Sequence, residues 1–180
     1  NEIYFNLEPE VYNEKHLEIS KFEADRWNYL ARKYFATKQP LKILDLGCGY
    51  GPIGIILATK IPDAQVTMID CNLLAVRYCL INIQKNKIHN ATVLGSVGME
   101  QIKDKMFDLI VSNVPARIGE EAIVNEFLLE PIKHLNEKGE YWFVVVSKLN
   151  QLIKRVSKQN NLNFKKVSKR RGHTVYKLKV

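Results

Sequence analysis

The chain has 180 residues, of which 46% are hydrophobic and 26% charged, the make-up of one ordinary globular domain. Its apolar runs are too short to span a membrane, and Cys48, Cys71 and Cys79 are odd in number and lack zinc-ligand spacing. A membrane protein, a disulfide scaffold and a zinc site are set aside, and a reduced, cytoplasmic protein is expected. No signal-peptide pattern is visible; because residue 1 is Asn and not Met, native N-terminal residues are expected to be missing. The net charge of +8 is uneven: residues 1–140 hold 16 basic against 19 acidic side chains, residues 141–180 hold 11 basic and none acidic.

Along the chain, residues 1–18 are irregular, with short strands expected at 3–5 and 10–12. Phe22, Trp27, Leu30, Ala31, Tyr34 and Phe35 then recur at helical spacing, with Ser20 as N-cap and Glu23 as its capping-box partner. Beyond them strand and helix alternate. Strands are expected at 41–46, 65–70, 91–95, 107–112, 140–146, 162–168 and 173–179, and helices at 52–60, 72–86, 120–135 and 149–159. Asn72 is placed to cap the second of these helices. Continuous apolar strands such as Leu109-Ile110-Val111 predict a mostly parallel α/β sheet covered on both faces. The final strand alternates in character, and Arg171-Gly172 before it predicts the turn of an antiparallel hairpin. Without repeats or linkers, 1–180 reads as one domain, with 1–38 as an extension and helix preceding the core.

Asp45-Leu46-Gly47-Cys48-Gly49-Tyr50-Gly51 follows the first of the core strands and opens into a helix with Pro52 in its first turn, where a missing N–H costs nothing. Alternate glycines let the backbone turn sharply and let a ligand approach closely. The next strand ends at Asp70, about 20 residues on, where a carboxylate is placed to bind a ribose diol. The pattern points to a nucleoside cofactor; a glycine turn with no ligand is the alternative. Pro52 stands where the dinucleotide fingerprint has its third glycine, and Asp45 repels a pyrophosphate but attracts an ammonium.

The segment resembles motif I of class I S-adenosylmethionine-dependent methyltransferases. The resemblance implies a Rossmann-like class I methyltransferase fold with S-adenosyl-L-methionine as cofactor. Gly47, Gly49 and Asp45 would surround its methionine part and Asp70 its ribose. Leu46, Cys48, Gly51, Cys71 and Asn72 complete the expected cradle, Cys48 serving as packing and not as a nucleophile.

The second segment, Phe107 to Ala116, is an apolar strand that runs into the turn Asn113-Val114-Pro115. Ligands in open α/β sheets bind off the carboxyl ends of strands, so Asn113 is expected in the same crevice as the glycines, a bare strand-ending turn being the alternative. The segment resembles the N-P-P-[FYW] motif of methyltransferases that act on planar NH2 groups of guanine, adenine, cytosine or glutamine. By that resemblance the Asn113 side-chain oxygen and the Val114 carbonyl accept both N–H groups of the target, and Pro115 shapes the turn. They turn the nitrogen lone pair toward the donor and stabilise the positive charge that grows there, with no metal or general base. Val114 replaces the first proline but keeps the carbonyl. Ala116 replaces an aromatic whose stacking on a flipped base is worth about 1–3 kcal/mol.

Taken with Asn82, Ile83, Asn86 and Lys87, with Ile118-Gly119, and with the late run Lys169-Arg170-Arg171-Gly172-His173, these motifs resemble the RsmC-type small-subunit rRNA guanine-N2 methyltransferases, above all their compact single-domain archaeal form. That implies guanine N2 of rRNA or tRNA as the target, and Ser96 in place of the Asp that meets the adenine amine. It also implies that residues 11–20 are the element that closes over the cofactor, His16 among them being a surface residue. Arg117, Lys169, Arg170 and Arg171 are expected to hold RNA phosphates. The basic C-terminal block reads as a polyanion-binding surface, the alternatives being a solvated face or a contact with an acidic partner. Other readings of the whole are a protein-glutamine or small-amine methyltransferase, or a non-catalytic cofactor-binding RNA protein. No metal and no membrane are expected, and the oligomeric state is left open.

Overall fold

The computed structural model describes Ile3, Trp27, Tyr29 and residues 40–180. Seven strands, β1 (Lys42–Leu46), β2 (Gln65–Asp70), β3 (Ala91–Gly95), β4 (Phe107–Asn113), β5 (Leu135–Val146), β6 (Lys165–Arg170) and β7 (His173–Lys179), form one sheet in the order β3-β2-β1-β4-β5-β7-β6. The pairs from β3 to β5 are parallel, and β7 lies antiparallel between β5 and β6. The helices are α1 (Pro52–Lys60), α2 (Leu73–Lys85), α4 (Asn150–Gln159), and between them α3, made of Glu120–Ala122, Ile123–Leu129 and Glu130–Lys133 in one run.

Successive side chains of a strand point to opposite faces, and both faces here are covered. Ile43, Leu109 and Val111 pack with α1, α2 and Trp27; Leu44, Leu46 and Ile110 pack with α3 and α4. Each such side chain stabilises the sheet by about 1.5–3 kcal/mol through burial. This is the mostly parallel, doubly covered sheet with a C-terminal hairpin that the strand pattern predicts. Asn72 caps α2, accepting from the Leu74 N–H at 3.0 Å. Arg171 and Gly172 both take positive φ, 47° and 80°, as a tight hairpin turn requires. On the edge strand β6, Lys165, Lys166, Lys169 and Arg170 are exposed, and such charges discourage pairing with another chain.

Two strand starts and the hydrogen bonding of one helix differ from expectation. β6 starts at Lys165 and not at 162, because Asn161 (φ 51°) turns the chain out of α4 and the Leu162 N–H donates back to the Ser157 carbonyl at 2.9 Å. β5 starts at Leu135, paired with Phe107 ahead of a register irregularity that the charges at Glu137 and Lys138 conceal. The centre of α3 is π-helical, the Glu130 N–H donating to the Asn125 carbonyl. Pro131 has no N–H for the Phe127 carbonyl four residues back, and the buried Tyr141 hydroxyl supplies that bond at 2.6 Å. Of the helix expected at 20–35 only Trp27 and Tyr29 are described, both helical; of the strand expected at 3–5 only Ile3 is described, and it is not in a strand; the strand at 10–12, the closing element at 11–20 and His16 lie outside the described residues.

Candidate active site

The glycine turn is built from beneath. After β1 the N–H groups of Gly47 and Cys48 both donate to the Ile69 carbonyl, at 2.9 and 3.0 Å, tying the turn to the end of β2. Gly49 donates to Asp70 Oδ2 at 2.8 Å, and Asn82 of α2 donates to the Tyr50 carbonyl at 2.9 Å. Gly51 is the N-cap of α1 with φ 91°, and a Cβ there would stand 2.7 Å from Cys79 Sγ. Gly47 has φ 70°, and a Cβ on it would meet the Phe127 ring at 3.2 Å. Both positions require glycine, for conformation and for space.

Beside this turn lies a cavity of about 450 Å³. One wall is formed by Leu46, Gly47, Ile69, Asp70, Cys71 and the loop Ser96, Val97 and Gly98; the other by Asn113, Pro115, Ile118, Ala122, Glu126 and Phe127. Ser112 holds the two halves together, its hydroxyl donating to the Leu46 carbonyl at 2.8 Å. Asp70 is fixed by two backbone donors, Gly49 on Oδ2 and Asn72 on Oδ1, each at 2.8 Å. Carboxylate oxygens accept more than one bond, so both retain capacity for a ligand. Among the described residues of the lining, Asp70 and Glu126 are charged and none is basic. Such a cavity repels a pyrophosphate and suits a ligand rich in N–H and O–H donors or carrying positive charge. Its size, apolar walls and anchored carboxylate fit the nucleoside sulfonium S-adenosylmethionine.

Of the residues singled out in the sequence, Leu46, Gly47, Asp70, Cys71, Ser96, Asn113 and Pro115 share this cavity. Gly49, Gly51 and Asn72 act behind the wall, shaping the turn and capping α2. Val114 is buried, its N–H donating to the Val144 carbonyl at 2.9 Å. Cys48 is buried, and its thiol is pushed up by the neighbouring Cys79 thiol and by burial, as suits a packing residue. Ser96 spends its hydroxyl on its own loop, donating to the Gly98 carbonyl at 2.9 Å and accepting from the Gln101 N–H at 3.2 Å.

Asp45 departs from expectation: it does not line the cavity. Its carboxylate lies under the first turn of α1, Oδ2 accepting from the Gly54 N–H at 2.8 Å, while Oδ1 is buried without a hydrogen-bond partner among the described residues. Burial pushes this carboxyl up to about 7; the Gly54 N–H pulls it down and the charge of Asp70 pushes it further up. An ammonium in the cavity would not meet it directly.

Ile69, Val97, Gly98, Ile118, Ala122, Glu126 and Phe127 complete the cavity without having been picked out as site residues. In sequence, Phe127 and Ala122 read as the core face of an amphipathic helix, and nothing local says that this helix folds back over the glycine turn.

The basic hairpin occupies the same rim of the sheet. Asn113 pairs with Val144 on β5, Val146 with His173 on β7, and the Ser147 N–H holds the turn through the Gly172 carbonyl at 2.7 Å. Lys169, Arg170 and Arg171 are exposed there, three strand spacings or about 14 Å from β4. Arg117 is exposed just past the Asn113 turn. Among the described residues no helix is long and apolar enough to cross a membrane, and no three His, Cys, Asp or Glu side chains group so as to hold a metal ion.

Comparison with known proteins agrees with this architecture. The family model "Methyltransferase small domain" matches residues 20–177. The chain is 33% identical over 147 residues to the uncharacterized protein YbxB of Bacillus subtilis, covering 76% of this chain and 69% of that one. It is 35% identical over 125 residues to ribosomal RNA small subunit methyltransferase C of Haemophilus influenzae, covering 68% of this chain but only 37% of the length of that protein. The 16S rRNA N2 methyltransferase RsmC of T. thermophilus, solved with AdoMet and guanosine, superposes with a TM-score of 0.63 at 24% identity, over 78% of this chain and 38% of that one. The methyl donor implied by the glycine motif is the one bound in that last structure, and the chain belongs to the methyltransferase small-domain family.

Proposed function

We propose that this chain is a cytoplasmic S-adenosylmethionine-dependent N-methyltransferase that acts on an exocyclic amine of RNA, guanine N2 of rRNA or tRNA being the target its motifs favour. The observation that carries the reading is the meeting of Asn113, Gly47 and Asp70 in one cavity, although 66 residues separate Ser112 from the Leu46 carbonyl that it holds. Bound there, S-adenosylmethionine supplies a methyl group on a positive sulfonium, which a nitrogen lone pair displaces with loss of a neutral thioether.

The residues of this chain do the rest. Asp70, locked by Gly49 and Asn72, accepts hydroxyls of the ribose, and Gly47 lets the methionine part lie against bare backbone. Cys71 adds wall surface at the nucleoside end. The Asn113 side-chain oxygen and the Val114 carbonyl accept the two N–H groups of the target amine. That orients its lone pair and stabilises the charge it gains, and the proton then leaves from a cationic nitrogen that needs no strong base. Arg117 and the Lys169-Arg170-Arg171 turn draw in the phosphate backbone, on a rim that leads to Asn113.

Ala116 favours keeping a second substrate class in view. A protein glutamine presents the same pair of N–H groups and needs no aromatic platform. Incubation with labelled cofactor and, in parallel, ribosomal subunits, naked rRNA, tRNA and protein fractions, followed by nucleoside mass analysis, tests both. Label in N2-methylguanosine is expected; label confined to protein overturns the RNA assignment, and none in any fraction overturns the enzyme reading.

A further inference from the structure

We propose that Glu126 sets the base specificity of the cofactor cavity by accepting the exocyclic amine of adenine; this rests on the cofactor reading above. Four strand ends reach the cavity in the order β4, β1, β2, β3, each about 4.8 Å from the next. They present Asn113, Gly47, Asp70 and Ser96 in turn. A donor with its methyl toward Asn113 and its ribose at Asp70 therefore extends its base toward the loop after β3.

Among the described residues lining the cavity, side-chain acceptors at that end come from two. The Ser96 hydroxyl has given its proton to Gly98 and taken the Gln101 N–H, and the residue is only 7% exposed. Glu126 reaches in from the π-helical part of α3. Its Cγ and Oε2 lie 3.7 and 3.8 Å from where a Cβ on Gly98 would stand, and Gly98, having none, leaves the space open. Among the described residues its carboxylate has no hydrogen-bond or ion-pair partner. An ionised carboxylate accepts hydrogen bonds and donates none. Adenine offers an N–H donor at its six-position; hypoxanthine offers a carbonyl oxygen there, which a carboxylate repels. A half-buried acceptor aimed at the six-position disfavours the base that has no donor there, because its desolvation then goes uncompensated.

Binding calorimetry with S-adenosylhomocysteine and S-inosylhomocysteine reads this without turnover. The wild-type protein is expected to bind the adenosyl ligand at least about tenfold more tightly than the inosyl one. Glu126→Ala should weaken the adenosyl ligand about tenfold and bind the inosyl ligand at least as tightly as the wild-type protein does, so that the preference collapses. Retained inosyl binding shows that the variant is folded; should Glu126→Ala bind neither, Glu126→Gln decides, since its amide also offers a donor to the inosine carbonyl and must narrow the preference. A preference unchanged in both variants overturns the role of Glu126 alone. Failure of the wild-type protein to bind either ligand overturns the cofactor reading, and this proposal with it.

Discussion

The two ends of the rim offer ligands opposite means of recognition. At the β1–β3 end, Asp70 and the glycine turn are held by backbone hydrogen bonds of 2.8–3.0 Å, and the charges facing the cavity are negative. At the β5–β7–β6 end the charges are positive, exposed and carried on long side chains of an edge hairpin. Enclosed interactions are short-ranged, barely screened by salt and abolished by one misplaced atom. Exposed cations act together over roughly a Debye length, each contributing little. Cofactor binding should therefore tolerate salt and fail on single substitutions, whereas acceptor binding should tolerate single substitutions and fail on salt.

The sharpest break of that contrast lies between the two ends. Asn113 lines the cavity and, in the proposed mechanism, holds the acceptor amine, so Asn113→Ala is expected to cut methyl transfer about 10³-fold, a loss near 4 kcal/mol in the transition state, while S-adenosylhomocysteine affinity stays within about threefold. Equal loss of both would place Asn113 in cofactor binding and not in catalysis. Next in size is Gly51→Ala. With φ at 91° and a new Cβ facing Cys79 Sγ at 2.7 Å, the substitution combines backbone strain with overpacking. Urea unfolding should show a loss of about 3 kcal/mol; a midpoint matching the wild type would mean that α2 yields freely beneath the turn.

How much of this is legible in the sequence depends on where each residue draws its constraint. The Gly47 turn, Asp70 and Asn113 are readable because their spacing relative to strand ends is itself the signal, and a parallel sheet brings such ends together. The hairpin turn is readable from Arg171-Gly172. Glu126 and Phe127 are not, because their place in the cavity comes from the return of α3 across the sheet, whose π-helical part leaves the Phe127 carbonyl to the distant Tyr141 hydroxyl. Asp45 misleads for a related reason: proximity in sequence to a ligand loop says nothing about which face of β1 its side chain takes, and it lies under α1.

That buried carboxyl makes the enclosed end sensitive to pH in a calculable direction. The folded chain keeps its proton up to about pH 7, whereas an unfolded aspartate releases it near pH 3.8. The favourable contribution is complete below 3.8 and is lost as pH rises through 7, so stability falls by up to about 2–3 kcal/mol between pH 5 and 8. Asp45→Asn cannot ionise, and its stability should be flat across that range; parallel slopes for variant and wild type would assign the pH dependence elsewhere.

The smallest single effects belong to the exposed end and require summing. Replacing Lys169, Arg170 and Arg171 together with Ala should lower RNA affinity about tenfold at low salt, a change of only about 1.4 kcal/mol spread over three side chains. Affinity alone would not identify the cause, since any perturbation of the hairpin could weaken binding. The salt dependence does. When three phosphates of a single-stranded ligand are no longer neutralised, the slope of log K against log salt falls by about 2, while a misfolded hairpin that keeps its charges leaves the slope where it was. The Ser147 N–H holds this turn through the Gly172 backbone carbonyl, a bond the replacement leaves in place, and S-adenosylhomocysteine affinity should not change. An unchanged slope would move phosphate binding to other cations of the basic C-terminal block, such as Lys148 or Lys154, and with it the path by which RNA reaches Asn113.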